Sequence, residues 1–203
     1  MKILVTGFTP FDGEKINPSR EVVKLLPNEI GSVKIVKGLL TTAFGKSLKE
    51  LEALIKTHNP DAVICVGQAG GRDCVSVEKV AVNYAQTRGY DNEGVIKDCV
   101  ISKNGKTAYF TTLPVEEILT AVNTYGIAAK QSLSAGSFVC NYIMYHALKR
   151  AQKDRFLAGF IHIPYSKEQI KDKPNVFSME ISQAAKAIEI AAEVTAQYLK
   201  ENR

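Results

Sequence analysis

Residues 62–72 read AVICVGQAGGR. Ala62 to Val66 form an apolar run without a polar break, and a glycine-rich turn, Gly67 to Arg72, stops it. A short apolar run bounded by turn residues fits a strand buried on both faces. Asn59-Pro60-Asp61 closes the segment before it. Upstream, residues 45–58 carry Leu48, Leu51, Leu54 and Ile55 at helical spacing. Residues 33–40 and 2–6 read as strands, and Asn17-Pro18 opens a helix between them, with Asn as cap and Pro at the first helical position. Downstream, Val75, Val77, Val80 and Val82 alternate with one slip, as in a bulged strand. Residues 84–106 are a polar, turn-rich excursion with an Asn104-Gly105 turn. A helix then opens at Pro114 and ends at Gly126, and residues 127–133 are a weak strand. A helix over 137–152, a strand over 156–163 and a final helix over 178–200 complete the chain. Strands alternating with helices predict an α/β fold. The expected form is a three-layer α/β/α sandwich around a largely parallel, mixed, twisted sheet, in one domain over residues 1–203.

Composition excludes several classes. Of the 203 residues, 45% are hydrophobic and 23% charged, which suits a packed globular chain and not a disordered one. No apolar run approaches the ~18 residues that a membrane span needs. The N-terminus has no signal-like apolar region, so the expected compartment is the cytoplasm, where the four cysteines stay free thiols. They form no CxxC pair and stand beside only three histidines, so no metal and no cofactor are expected. The net charge of +5 leaves a nucleic-acid binder open, but the basic residues are interleaved with acids and do not cluster.

In open α/β sheets, ligands sit beyond the carboxyl ends of the strands. Gly7 to Gly13, Gly67 to Arg72, Ser134 to Cys140 and His162 to Tyr165 lie at such ends. Cys140 falls in the first turn of a predicted helix, where exposed N–H groups favour a thiolate and a depressed pKa. A free cysteine equally suits a small buried hydrophobe. Cys65 reads as core, and Cys74 is the weaker rival. His162 sits near the end of an apolar strand, in the right layer to pair with Cys140. His146, six residues beyond Cys140 on the same helix, lies about 240° round it and should not reach the sulfur. Glu78 is unusual among valines. It reads either as a solvent-facing edge residue beside Lys79 or as the carboxylate that orients a histidine. The GQAGGR turn could cradle phosphate, as in a nucleoside phosphorylase-like protein, but lacks both GxGxxG spacing and a GKS or GKT ending.

Five blocks resemble the type I pyroglutamyl peptidases, in that family's order and over most of the chain. They are TGFTPFDGEKINPS (6–19), GQAGGR with EKVAVN (67–83), DNEG (91–94), SAGSFVCN (134–141) and GFIHIPY (159–165). The resemblance implies a cytosolic cysteine exopeptidase that removes an N-terminal pyroglutamyl residue through a thioester. It implies Cys140 as nucleophile, His162 as general base and Glu78 as the acid that orients the histidine. It implies Phe8 and Phe11 as walls of the ring pocket, Gln68 in the pocket turn, Phe138 and Val139 against the ring, and Arg88 near the oxyanion. The implied partners are peptides with N-terminal pyroglutamate and further copies of the chain, as a dimer or tetramer; no nucleic acid or membrane is implied.

Overall fold

A computed structural model describes residues 1–87, 89–171 and 173–202. Its main sheet has seven strands: β1 (Lys2–Phe8), β2 (Glu29–Ile30), β3 (Val33–Leu40), β4 (Ala62–Gln68), β5 (Val75–Glu78), β6 (Ala129–Ser132) and β7 (Leu157–Ile163). The helices are α1 (Pro18–Leu25), α2 (Phe44–His58), α3 (Val115–Thr124), α4 (Val139–Asp154) and α5 (Ile181–Glu201). The strand order is β6-β5-β7-β4-β1-β3-β2. Pairs β1/β3, β1/β4, β7/β4 and β6/β5 are parallel, whereas β7/β5 and β2/β3 are antiparallel.

The period of two along each strand sorts the core into two layers. In β4, Ala62, Ile64 and Val66 join the cluster covered by α1, α3 and α5. Val63 and Cys65 join the opposite cluster, covered by α2 and α4. The expected three-layer sandwich is therefore present. Local signals act as read: the Asn17 side chain accepts from Ser19 N at 3.1 Å to cap α1, and Gly126 takes a left-handed φ of 90° just past α3. Two readings differ by more than two residues at an element's end. The 75–82 segment is not one bulged strand, because Lys79 breaks it into β5 and a separate ribbon, Val80–Val82 against Ala108–Phe110. The last helix begins at Ile181, since Ser178–Met179 pairs instead with Tyr165–Ser166. Among the described residues, no helix is long and apolar enough to cross a membrane.

His146 stands on α4 against the rings of Tyr142 and Tyr145, at 4.5 and 5.9 Å. Burial, with a smaller push from Lys149, lowers its pKa to about 4. The unfolded chain therefore takes up this proton first as pH falls. Stability is complete above about pH 6.5 and declines as pH drops toward 4, by about 3 kcal/mol in all. Urea unfolding of wild type and His146→Phe between pH 7 and 4 checks this. The variant should lose about 1.4 kcal/mol less per pH unit across that window, and equal slopes would refute the assignment.

Candidate active site

The sheet's register assembles the site. His162 is the last but one residue of β7 and pairs with Gly67 of β4. On the other side β7 runs antiparallel to β5, where Phe160 faces Glu78 and His162 faces Ser76. Directly opposed residues share a face, so Ser76, Glu78, Phe160, His162 and Gly67 all look toward α4. Glu78 lies diagonal to His162, within reach of a long side chain. Its Oε1 is 2.7 Å from His162 Nδ1. A histidine whose Nδ1 donates to a carboxylate keeps Nε2 as an acceptor.

Gly67 explains how the nucleophile candidate approaches. A Cβ on Gly67 would lie 2.6 Å from Phe160 Cζ and 3.0 Å from Cys140 Sγ. The thiol thus rests directly above bare backbone, on the strand that pairs with His162. Phe160 is fully buried and cannot swing aside. Gly67→Ala is expected to displace the ring or the sulfur, lowering kcat by roughly 100-fold and stability by about 1–3 kcal/mol. Steady-state kinetics with thermal unfolding check it, and a variant with wild-type kcat and Tm would mean that the sulfur has room to spare.

Cys140 is the second residue of α4. No side chain caps this helix: Phe138 holds the cap position with extended backbone and makes no capping hydrogen bond. The first-turn N–H groups of an uncapped helix are unsatisfied donors turned outward, suited to a developing oxyanion. The helix start is pinned from the other direction. Asn141 accepts from Val82 N at 2.9 Å and donates to the carbonyls of Val82 and Tyr84 at 3.0 and 2.9 Å. Ser137 O accepts from Gln86 N at 2.9 Å, and Ser137 Oγ donates to Gln86 O at 3.0 Å. The 84–106 excursion is therefore stitched to the loop that leads into Cys140.

A cavity of about 560 Å³ opens over these groups. Cys140 and His162 line it together with Gln68 and Arg72 of the glycine-rich turn. Phe11 and Phe138 give it an apolar side, with ring centroids 6.1 Å apart. Tyr90 closes another side from the excursion. The loop beneath Tyr90 is anchored by Asp91, whose Oδ1 accepts from Glu93 N and Val95 N at 2.9 Å each. Asp91 Oδ2 accepts from Phe44 N at 2.9 Å and so caps α2, where Ala43 offers no cap. Gln68 Oε1 accepts from Gln169 Nε2 at 3.0 Å, which fixes the orientation of its amide.

Along this chain, 201 residues are 47% identical to pyrrolidone-carboxylate peptidase 1 of Streptococcus pneumoniae, covering 98% of this chain and 94% of that protein. The family model described as pyroglutamyl peptidase matches residues 1–198. The chain belongs to the pyroglutamyl peptidase family. Solved structures of the family agree with the fold. A variant pyrrolidone carboxyl peptidase from Pyrococcus furiosus superposes with a TM-score of 0.94 at 41% identity, over 98% of this chain and 100% of that one. Pyroglutamyl peptidase I from Bacillus amyloliquefaciens gives 0.93 at 42% identity, over 96% and 94%.

The residues matched to the family separate into groups. Cys140, His162, Gln68, Phe11 and Phe138 line the cavity, and Glu78 sits behind the histidine. Phe8 and Val139 do not line it. Both are core residues below it, Phe8 packing on Phe160 at 6.1 Å between centroids. Arg88 lies outside the described residues. Glu78 is not an edge residue: β5 is flanked by β6 and β7, and the side chain is 0% exposed. The expected depressed thiol is also corrected. Burial, then the Glu78 charge and Cys65, pushes Cys140 up to about 12, outweighing Arg72 and the sulfur's own backbone N–H. Burial also holds His162 below the usual histidine value, against the hydrogen bond and charge of Glu78. Burial thus works against the charged form of both groups. Among the described residues, no group of three His, Cys, Asp or Glu side chains converges as a metal site would require.

Sequence reasoning weighed Arg72 only as a phosphate ligand. Its Nη1 instead meets Glu78 Oε1 at 2.7 Å, and its Nη2 donates to the Ser134 carbonyl at 2.9 Å. Only the pairing of the turn with a buried carboxylate reveals this. It also removes support from a phosphate cradle, since the guanidinium is already engaged.

Proposed function

We propose that this chain hydrolyses the bond following an N-terminal pyroglutamyl residue of a peptide, with Cys140 as nucleophile, His162 as general base and acid, and Glu78 as the carboxylate that orients His162. The observation that carries this reading is the buried 2.7 Å contact from Glu78 Oε1 to His162 Nδ1, beside a thiol seated on Gly67.

As the Cys140 sulfur attacks the pyroglutamyl carbonyl carbon, its proton passes to His162 Nε2. The carbonyl oxygen takes the negative charge and is held by first-turn N–H groups of α4; one such donor contributes about 3–4 kcal/mol. The imidazolium formed at this moment is stabilised by Glu78. The tetrahedral intermediate collapses, the C–N bond breaks, and the leaving amine takes the proton from His162. Water then attacks the thioester with His162 as base, releasing pyroglutamate and restoring the thiol. Burial disfavours both the thiolate and the imidazolium, so proton transfer accompanies attack.

Phe11 and Phe138 suit a flat, uncharged lactam, and the Gln68 amide offers a polar contact. A free α-ammonium would lose its hydration here without a dedicated partner, which disfavours ordinary N-termini. The test compares release of a fluorescent amine from pyroglutamyl, prolyl, alanyl and glutaminyl amides. Turnover confined to the pyroglutamyl amide is expected; equal turnover of the alanyl amide would refute the reading. A cytoplasmic dimer or tetramer belongs to the same proposal. The free thiols support the first part, and the exposed apolar side chains Val82, Tyr84, Ile96, Val100 and Phe110 support the second. Light scattering reads the assembly mass.

A further inference from the structure

We propose that Arg72 is a positioning residue of this site: its guanidinium pins the Glu78 carboxylate against His162 and ties it to the root of the nucleophile loop. The inference rests on the roles given above to Cys140, His162 and Glu78.

Three observations carry it. First, Glu78 is wholly buried, and a carboxylate removed from water is costly unless it is paired and hydrogen-bonded. Oε1 meets both His162 Nδ1 and Arg72 Nη1 at 2.7 Å, whereas Oε2 is buried without a hydrogen-bond partner among the described residues. The neutral imidazole supplies no charge, so the compensating cation is Arg72. Second, the same guanidinium donates through Nη2 to Ser134 O at 2.9 Å. Ser134 opens the SAGSFVC stretch that ends at Cys140. One rigid fork thus sets the distance between the carboxylate on β5 and the loop that presents the sulfur. Lysine, a single point charge, cannot hold both partners in that geometry. Third, the glycine-rich turn is built to return Arg72 toward the sheet. Gly71 adopts φ 85°, and Arg72 N donates to Ala69 O at 3.4 Å to close the turn. The motif GQAGGR thereby acquires a role other than phosphate binding.

The electrostatic sign follows from the groups that face the pair. His162 faces Glu78 from β5, Arg72 from the turn and the Cys140 thiol from α4; the thiol also senses Cys65, and Asp12 lines the same cavity. Arg72 opposes protonation of His162 and favours ionisation of Cys140. Its removal should therefore move both ionisations to higher pH.

The experiment measures kcat/KM for a pyroglutamyl fluorogenic amide from pH 5 to 9 in wild type, Arg72→Met and Arg72→Lys, with circular dichroism for folding. In Arg72→Met the acidic limb should move up by about one unit, which lowers kcat/KM roughly tenfold on that limb. Arg72→Lys should keep the limb in place yet lose kcat, because the fork to Ser134 is gone. A wild-type profile in Arg72→Met overturns the proposal, as does lost activity with an unmoved limb. If Arg72→Met fails to fold, wild-type kcat in Arg72→Lys overturns it. The pH dependence of Cys140 alkylation, followed by peptide mass, reads the same contact without substrate. At a fixed pH the alkylation rate should fall in Arg72→Met, since the thiolate loses the Arg72 charge, and an unchanged rate refutes the proposal. A wild type that alkylates normally but cleaves no pyroglutamyl amide would instead sink the proposed function.

Discussion

Cys140→Ala is expected to lower kcat by a factor on the order of 10⁵–10⁶ while leaving the fold intact. In the proposed mechanism the Cys140 sulfur forms the thioester, and among the described residues no other thiol lines the cavity. Cys65 is walled into the core, where burial pushes its thiol up to about 12. Cys74 is buried just before β5 and does not line the cavity. Residual rate would come only from binding and the helix-end donors. Stability should hold within about 1 kcal/mol, because the change removes one atom bordering an open cavity and creates no void in the core. The measurement is turnover of the pyroglutamyl amide beside a thermal melt. A variant retaining more than about 1% of wild-type kcat would exclude Cys140 as nucleophile. Alkylation must be read by peptide mass, since exposed Cys99 reacts in both proteins.

Glu78→Gln is expected to lower kcat by about 10³–10⁴ with little change in KM. The amide matches the carboxylate in shape, and its oxygen can still accept from His162 and Arg72. What disappears is the negative charge that, in the proposed mechanism, stabilises the imidazolium as the sulfur attacks. That charge matters because its surroundings are dry: Glu78 is 0% exposed and His162 is 4% exposed. In such a site an uncompensated imidazolium is far costlier than in water. The loss should fall on kcat, since Glu78 does not line the cavity and makes no ground-state contact there. Kinetics of the folded variant check this, and a kcat within tenfold of wild type would show that the histidine needs no carboxylate.

How much was legible in the residues varied with how local the signal was. Asn17 capping α1, Gly126 ending α3 and the unbroken apolar run of β4 are properties of a few neighbouring residues. The exclusion of His146 from the site was legible too, because helix rotation alone carries it away from Cys140. The burial of Phe8 and Val139 beneath the cavity was not legible, because matching a block cannot tell residues that line a cavity from the core beneath them. The surroundings of the thiol were hidden for a related reason. A helix N-terminus is visible in sequence, but the burial and the Glu78 charge that outweigh it come from β5 and the opposite side of the sheet.

The sequence by itself determined the alternation of strands and helices, the family blocks and the side chains able to do thiol chemistry. Those are encoded in short-range periodicity and residue type. Only the tertiary structure decided that β5 runs antiparallel to β7 and lies inside the sheet. That pairing turns Glu78 from an edge residue into a buried partner of His162 and brings Arg72 back onto its charge. Strand pairing joins residues 84 positions apart. No local pattern records which neighbour a strand will take, because alternation specifies a face and leaves the partner to the packing of the whole sheet.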